Sequence, residues 1–293
     1  MHPDTMRLID RRVGIPLCFF ASFWPLKKNQ ANSNSTLSTN IPPPDTIVFI
    51  GIAEIGALVV AYPAIKETRK QHPESRICFI TAPAGLQTLE LMGFEKEDIF
   101  LLETSSIKSL LKGIVNIRFH FKGKRVSAIV LEPFTRFSTL LSAWIGASKR
   151  IGCYRFLNEG VYLGNILTHR LVYNPHLHMS QTYFALAKAL IEPDSAKPLL
   201  KEYIPSQIKN RLKINIPEKE RQTLMKRLQS ECPENPLKKI ILLNANTSDI
   251  VPLRKWPIEN FVELSKRLLE NSEFTVVLTG SPEEKDESVD LAL

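Results

Sequence analysis

From residue 46 onward, short apolar runs alternate with longer stretches of helical period. Runs at 46–52, 76–81, 98–102, 126–131 and 150–153 are rich in β-branched and aromatic residues, as in Ile47-Val48-Phe49-Ile50, and predict strands. Between them, 63–71, 85–92, 105–117 and 137–144 space their apolar positions as helices do, and Ser180 is placed to cap a further helix running to 190. Strand and helix in alternation predict βαβ units around a parallel sheet. Residues 154–179 keep neither period and read as loop, and the Pro-containing stretch 193–217 reads as a passage between domains. A second α/β unit follows, with a strand at 238–243, a helix at 257–270, a strand at 273–278 and the start of another helix at 283–293. Doubly wound domains need five or six strands, so two strands lead us to expect an unfinished second domain or a sheet edge closed by a partner.

The first 45 residues break the pattern. An apolar stretch, 13–26, lies between Arg11-Arg12 and Lys27-Lys28. It is shorter than the roughly 20 residues a membrane span needs, and Gly14, Pro16 and Pro25 weaken a spanning helix. Phe19, Phe20, Phe23 and Trp24 between basic clusters suit a segment lying at a membrane surface, and a cleaved signal peptide is the rival reading. Residues 27–44, rich in Asn, Ser, Thr and Pro, read as a linker. The chain therefore divides into an N-terminal segment and linker (1–45), a first α/β domain (46–190), an interdomain passage (191–236) and a partial second domain (237–293).

Composition narrows the function classes. The 293 residues are 44% hydrophobic and 23% charged, which excludes a disordered or fibrous chain. Cys18, Cys78, Cys153 and Cys232 show no CxxC spacing, arguing against a disulfide framework, a zinc site or a redox centre and for reduced thiols in the cytoplasm. Thirty-eight Lys and Arg against thirty Asp and Glu give a net charge of +8, a field that favours anionic partners. Six cations between Lys108 and Arg125, with Lys149, Arg150 and Arg155 beyond, permit docking on an anionic leaflet. Nucleic acid is disfavoured, because no reader module or stacking motif is present.

Three segments carry chemistry. In Gly51-Ile52-Ala53-Glu54-Ile55-Gly56, a strand feeds two glycines and a helix; the spacing is not GxGxxG, and the loop suits either a tight turn or a close backbone approach to a ligand. Glu54 would stand at the carboxyl edge of a parallel sheet, where such folds bind ligands, as a candidate general base or a solvated loop acid. In the second unit, Asn244-Ala245-Asn246-Thr247-Ser248 follows a strand and Arg254-Lys255-Trp256-Pro257 precedes a helix. Thr247 and Ser248 offer hydroxyls, and Arg254 and Lys255 offer fixed positive charge, a set fitting a diphosphate. At 131–138 a strand turns into a helix that starts with Arg136, placed to receive an acidic acceptor or to pair with a nearby acid. His169, His176 and His178 lack the spacing of a metal site, and a structural or acceptor-contact role is expected for them.

Taken together, these residues resemble glycosyltransferase family 9, which includes the ADP-heptose:lipopolysaccharide heptosyltransferases. The resemblance rests on Met6-Arg7-Leu8-Ile9-Asp10-Arg11 with Pro16-Leu17-Cys18, on Ala53-Glu54-Ile55-Gly56 with Ala61-Tyr62-Pro63-Ala64, and on Glu132 through Arg136-Phe137-Ser138. It continues through Arg150-Ile151-Gly152, Thr168-His169-Arg170, Asn174-Pro175-His176, Arg254-Lys255-Trp256-Pro257 and Gly280-Ser281-Pro282-Glu283. It implies a GT-B architecture, α/β with two Rossmann-like parallel-sheet domains, the acceptor held mainly by the first and a nucleotide-sugar donor by the second. It also implies inverting, metal-independent transfer of a heptose or related sugar from an ADP-sugar to an anionic saccharide or glycolipid acceptor of the lipopolysaccharide type, with no cofactor. Such an enzyme works at the cytoplasmic face of the inner membrane. Mapped onto this chain, Glu54 is the base, Thr247, Ser248, Arg254 and Lys255 hold the diphosphate, Glu283 approaches the donor ribose, and Gly56, Arg136 and His178 belong to the acceptor side.

Two departures qualify that mapping. Many heptosyltransferases carry an Asp directly after the second loop glycine, where this chain has Ala57, and the Asp-x-Gly-x-x-His segment of the family does not occur before Leu293. The alternatives are a catalytically inactive GT-B fragment acting as a binding module, and a sugar-nucleotide epimerase of the same architecture.

Overall fold

A strand covered by helices on both sides must be apolar on both faces. β1 (Thr46–Ile50) meets that condition, being buried along its whole length. The computed structural model describes residues 8, 10–23, 43–52, 55–155, 161–192, 212–231, 239–245 and 255–280. The chain forms two compact units, Met1–Ile214 and Asn215–Leu293.

In the first unit, β1, β2 (Arg76–Thr81), β3 (Ile99–Leu101), β4 (Val126–Val130), β5 (Lys149–Arg155) and β6 (His169–Val172) form one sheet in the order β3-β2-β1-β4-β5-β6. Every pair in it is parallel. This is the order of a doubly wound fold, and the direction of winding reverses between β1 and β4. Alternate residues of β1 enter different cores. Ile47 and Phe49 pack with α2 (Ile55–Val60), α3 (Tyr62–Gln71), α4 (Leu86–Leu91) and α7 (Met179–Lys188) on one face. Val48 and Ile50 pack with α5 (Ile107–His120) and α6 (Arg136–Trp144) on the other.

A π-helical turn, Asp10–Gly14, leads into α1 (Ile15–Phe23), which packs on α6. Pro16 falls in its first turn, where a missing N–H costs nothing. The contact runs along small residues: a Cβ on Gly14 would stand 3.0 Å from Arg136 Cδ, Cys18 is fully buried, and the Ser22 hydroxyl accepts from Asn165 N–H at 2.9 Å. Gly164, at φ +60°, makes the approach possible, since a Cβ there would lie 2.1 Å from Ser22 Oγ and 2.6 Å from the Cys18 carbonyl.

Two elements depart from the sequence reading. β6 lies within the stretch read as loop: His169-Arg170-Leu171-Val172 is an edge strand with no apolar run to announce it. α8 (Glu218–Glu231) lies within the passage and buries no residue, so it has no apolar stripe to detect. Lys149 and Arg150, read with the surface cations, are buried. Lys149 Nζ donates to the carbonyls of Leu190 (2.9 Å) and Glu192 (2.8 Å), and Arg150 Nε donates to that of Ile166 (2.6 Å). Both cations are solvated by backbone oxygen and are removed from any docking face.

In the second unit, β7 (Lys239–Leu243) pairs in parallel with β8 (Phe274–Leu278), connected through α9 (Ile258–Leu269). Among the described residues of this unit only Ala245 and Ser265 are buried.

Candidate functional site

Doubly wound sheets bind ligands at the carboxyl ends of the strands, in the crevice where the winding reverses. That crevice opens here between β1 and β4. The ladder runs past both strands, with Gly51 N–H donating to the Ile80 carbonyl at 3.0 Å and Leu131 N–H to that of Ile50 at 2.9 Å. Glu132 then bridges the gap. Its Oε1 accepts from Ile52 N–H at 2.8 Å and its Oε2 from the Ser138 hydroxyl, so one carboxylate ties the connection after β1 to the first turn of α6. Ser138 is fully buried, which fixes the geometry of that tie.

Of the acceptor-side candidates, Gly56, Arg136 and His178 are all brought to this carboxyl edge, at the starts of α2, α6 and α7. Gly56 faces open space, with no atom of the described residues within 4 Å of where a Cβ would sit, while Ala57 is buried in the core. Glu54 lies outside the described residues. Arg136 is 9% exposed: its guanidinium pairs with Asp10 and donates from Nε to the Tyr162 carbonyl at 3.1 Å. The alternative of pairing with a nearby acid is thus realised, and its partner comes from the N-terminal segment. His178 caps α7, its Nδ1 accepting from Ser180 N–H at 3.2 Å while the Gln181 side-chain oxygen accepts from His178 N–H at 3.1 Å. His169 is buried on β6, within 2.9 Å of the Thr168 hydroxyl and 3.2 Å of the Glu192 carbonyl.

Two features of this edge carried no signal of their own in the sequence. Phe134 holds φ +62°, a left-handed conformation that costs a bulky residue on the order of 1–3 kcal/mol, and its ring meets Tyr173 edge-on at 5.3 Å. Strain of this kind concentrates at ligand sites. Beside Arg136, burial pushes the Cys18 thiol up to about 11; the Arg136 charge opposes that rise and Asp10 adds to it.

In the second unit, Lys255 stands exposed just before α9, Pro257 is the N-cap residue, and Trp256 stacks edge-on against Phe261 at 4.9 Å. The packed indole anchors the segment at a helix N-terminus, where N–H groups and the helix dipole favour an anion. Thr247, Ser248, Arg254 and Glu283 lie outside the described residues. Among the described residues no group of three or more His, Cys, Asp or Glu is placed to hold a metal ion.

The sequence profile described as Glycosyltransferase family 9 (heptosyltransferase) matches residues 128–292, more than half of the chain, from within β4 through the second unit. The chain belongs to glycosyltransferase family 9. Solved structures of the family share its fold. A family 9 glycosyl transferase from Veillonella parvula is 17% identical, aligning 85% of this chain with 66% of that one at a TM-score of 0.59. ADP-heptose LPS heptosyltransferase II from E. coli is 18% identical, with 85% and 69% covered and a TM-score of 0.58. The E. coli heptosyltransferase WaaC, solved with ADP, is 13% identical, with 84% and 72% covered and a TM-score of 0.53. At such identities the likeness carries the fold, which is GT-B-like. This family 9 chain spans about two thirds of the length of those structures. No curated protein sequence matches it.

Proposed function

We propose that the protein transfers a heptose or related sugar from an ADP-sugar to an anionic, lipid-linked saccharide of the lipopolysaccharide type, with inversion and without a metal ion, at the cytoplasmic face of a membrane. The observation that carries this reading is the family match, which spans the acceptor-side edge at Arg136 and the donor-side segments at 244–257. WaaC was solved with ADP and with an ADP-heptose analogue, which supports an ADP-linked donor.

The proposed chemistry divides between the units. Glu54 belongs to the connection between β1 and α2, whose flanks stand at the ligand edge, and takes the proton of the acceptor hydroxyl as it attacks the anomeric carbon. Glu132 holds that connection against α6. Gly56 gives the acceptor room, and Arg136 and His178 line the same edge. Thr247, Ser248, Arg254 and Lys255 bind the diphosphate and stabilise the charge it gains on leaving, the electrostatic share of the catalysis. Glu283 contacts the donor ribose.

The test mixes the full chain with ADP-heptose and a heptose-deficient lipopolysaccharide acceptor, reading ADP release and product mass. We expect transfer that survives a chelator and falls on the order of 10²–10⁴-fold in Glu54→Gln. Binding of ADP without transfer supports the non-catalytic binding module, and absence of both removes the reading.

A further inference from the structure

We infer that the outer surface of the helical layer α1-α6-α5 is a docking face for an anionic phospholipid membrane. The three helices form one layer on one side of the sheet. α5 and α6 share a core, Trp144 Nε1 of α6 donates to the Ile114 carbonyl of α5 at 3.2 Å, and α1 packs on α6. Among the described residues of the first unit, none covers the outer side of this layer. α5 buries Ile117 and exposes a stripe four residues apart, Ile107, Leu111, Val115 and Phe119, the last 66% exposed. α1 buries Cys18 and exposes Phe20 (68%) and Phe23 (73%), clustered around Phe19 at ring separations of 5.7 and 4.9 Å. Trp144 is half-exposed between them. Exposed apolar stripes on neighbouring helices mark an interaction site.

Charge identifies the occupant. None of the three helices contains an Asp or Glu, whereas α3 and α4 on the opposite face carry Glu67 and Glu90. Arg11, Arg12, Lys108 and Lys112 are exposed beside the apolar stripes, and Asp10, the acid nearest α1, is held by Arg136. A second copy of the chain does not fit, because a two-fold contact would bring two cationic faces together with no acid on the three helices to pair them. Nucleic acid does not fit the aliphatic stripe of α5. Aromatic and aliphatic side chains ringed by cations fit the headgroup and upper acyl region of an anionic bilayer. No described helix is long and apolar enough to cross a membrane, so this face lies on the bilayer.

The face is tested by flotation of the full chain with vesicles of phosphatidylcholine alone and of phosphatidylcholine with roughly one third phosphatidylglycerol. We expect flotation with the anionic vesicles, weakened by raising salt from about 0.1 to about 0.5 M. Partition falls on the order of tenfold or more in Phe20→Ser/Phe23→Ser and in Lys108→Glu/Lys112→Glu. All four side chains are exposed, so both variants fold, as circular dichroism and thermal melts will verify. Without any substitution, hydrogen exchange of the parent on anionic vesicles slows within residues 10–23 and 107–120. The inference is overturned if the parent does not float with anionic vesicles, if both variants float as the parent does, or if the parent is a dimer that Phe20→Ser/Phe23→Ser dissociates. Flotation is independent of sugar transfer: a chain that transfers in detergent without floating keeps its proposed function and loses this face.

Discussion

At the scale of single residues, Gly56 separates fold from ligand binding. A methyl there meets nothing, and Ala is the better helix former by about 1 kcal/mol, so Gly56→Ala leaves the melting temperature unchanged or raised. If the acceptor's backbone-level approach is as proposed, the same methyl raises the acceptor KM on the order of tenfold and leaves ADP binding alone; an unchanged acceptor KM removes Gly56 from the site. His72 sets a different sensitivity. Burial, and secondarily the Lys149 charge, lower its pKa below 6.5. A folded pKa depressed below the unfolded value means that the native state binds the proton less readily than the unfolded chain does. The stability it contributes is complete above pH 6.5 and is lost as pH falls toward the folded value. Denaturant midpoints measured from pH 7.5 to 5 should therefore fall at the acid end, and His72→Gln should flatten that slope.

Individual elements were legible in the sequence wherever burial imposed a period. β1, β2 and β4 are buried on both faces and read as short apolar runs; α6 reads from a stripe that faces a core, and α9 from its apolar spacing alone. β6 was not legible, because an edge strand carrying His169 and Arg170 has no run, and α8 was not, because a helix that buries nothing has no stripe. In the candidate site, the glycine connection and Arg136 were proposed from residue type and position. The Asp10 partner of Arg136, 126 positions away in the chain, could not, since only the docking of α1 brings the two together. That docking is itself testable. Gly164→Ala would drive a methyl into Ser22 and the Cys18 carbonyl while also straining a φ of +60°. We expect α1 to detach and Cys18, protected in the parent by burial, to react with a thiol reagent at least tenfold faster by peptide mapping. Cys78 and Cys153, buried in the sheet, should keep their protection in the same sample and so report that the unit remains folded.

Across the whole molecule, apolar burial is distributed very unevenly. The first unit has two cores on either side of a six-stranded sheet, with Phe49 and Phe79 fully buried and stacked at 5.6 Å. In the second unit every described strand residue is at least partly exposed, and its two parallel strands gain little from helix cover. At about 25 cal/mol per Å² of apolar surface buried, such a difference sets local stability directly. Amide exchange should therefore be slow in β1 and β4 and faster by orders of magnitude in β7 and β8. A ligand that binds only the folded second unit stabilises it by mass action, about 2.7 kcal/mol at a hundred times its Kd. If the segments before α9 hold the donor diphosphate, saturating ADP slows exchange in β7, α9 and β8 by roughly a hundredfold, the factor that this free energy represents, while β1 and β4 do not change. Slowing confined to the first unit would place the nucleotide at the β1/β4 crevice and exchange the proposed donor and acceptor sides; no slowing anywhere would deny the chain a nucleotide site.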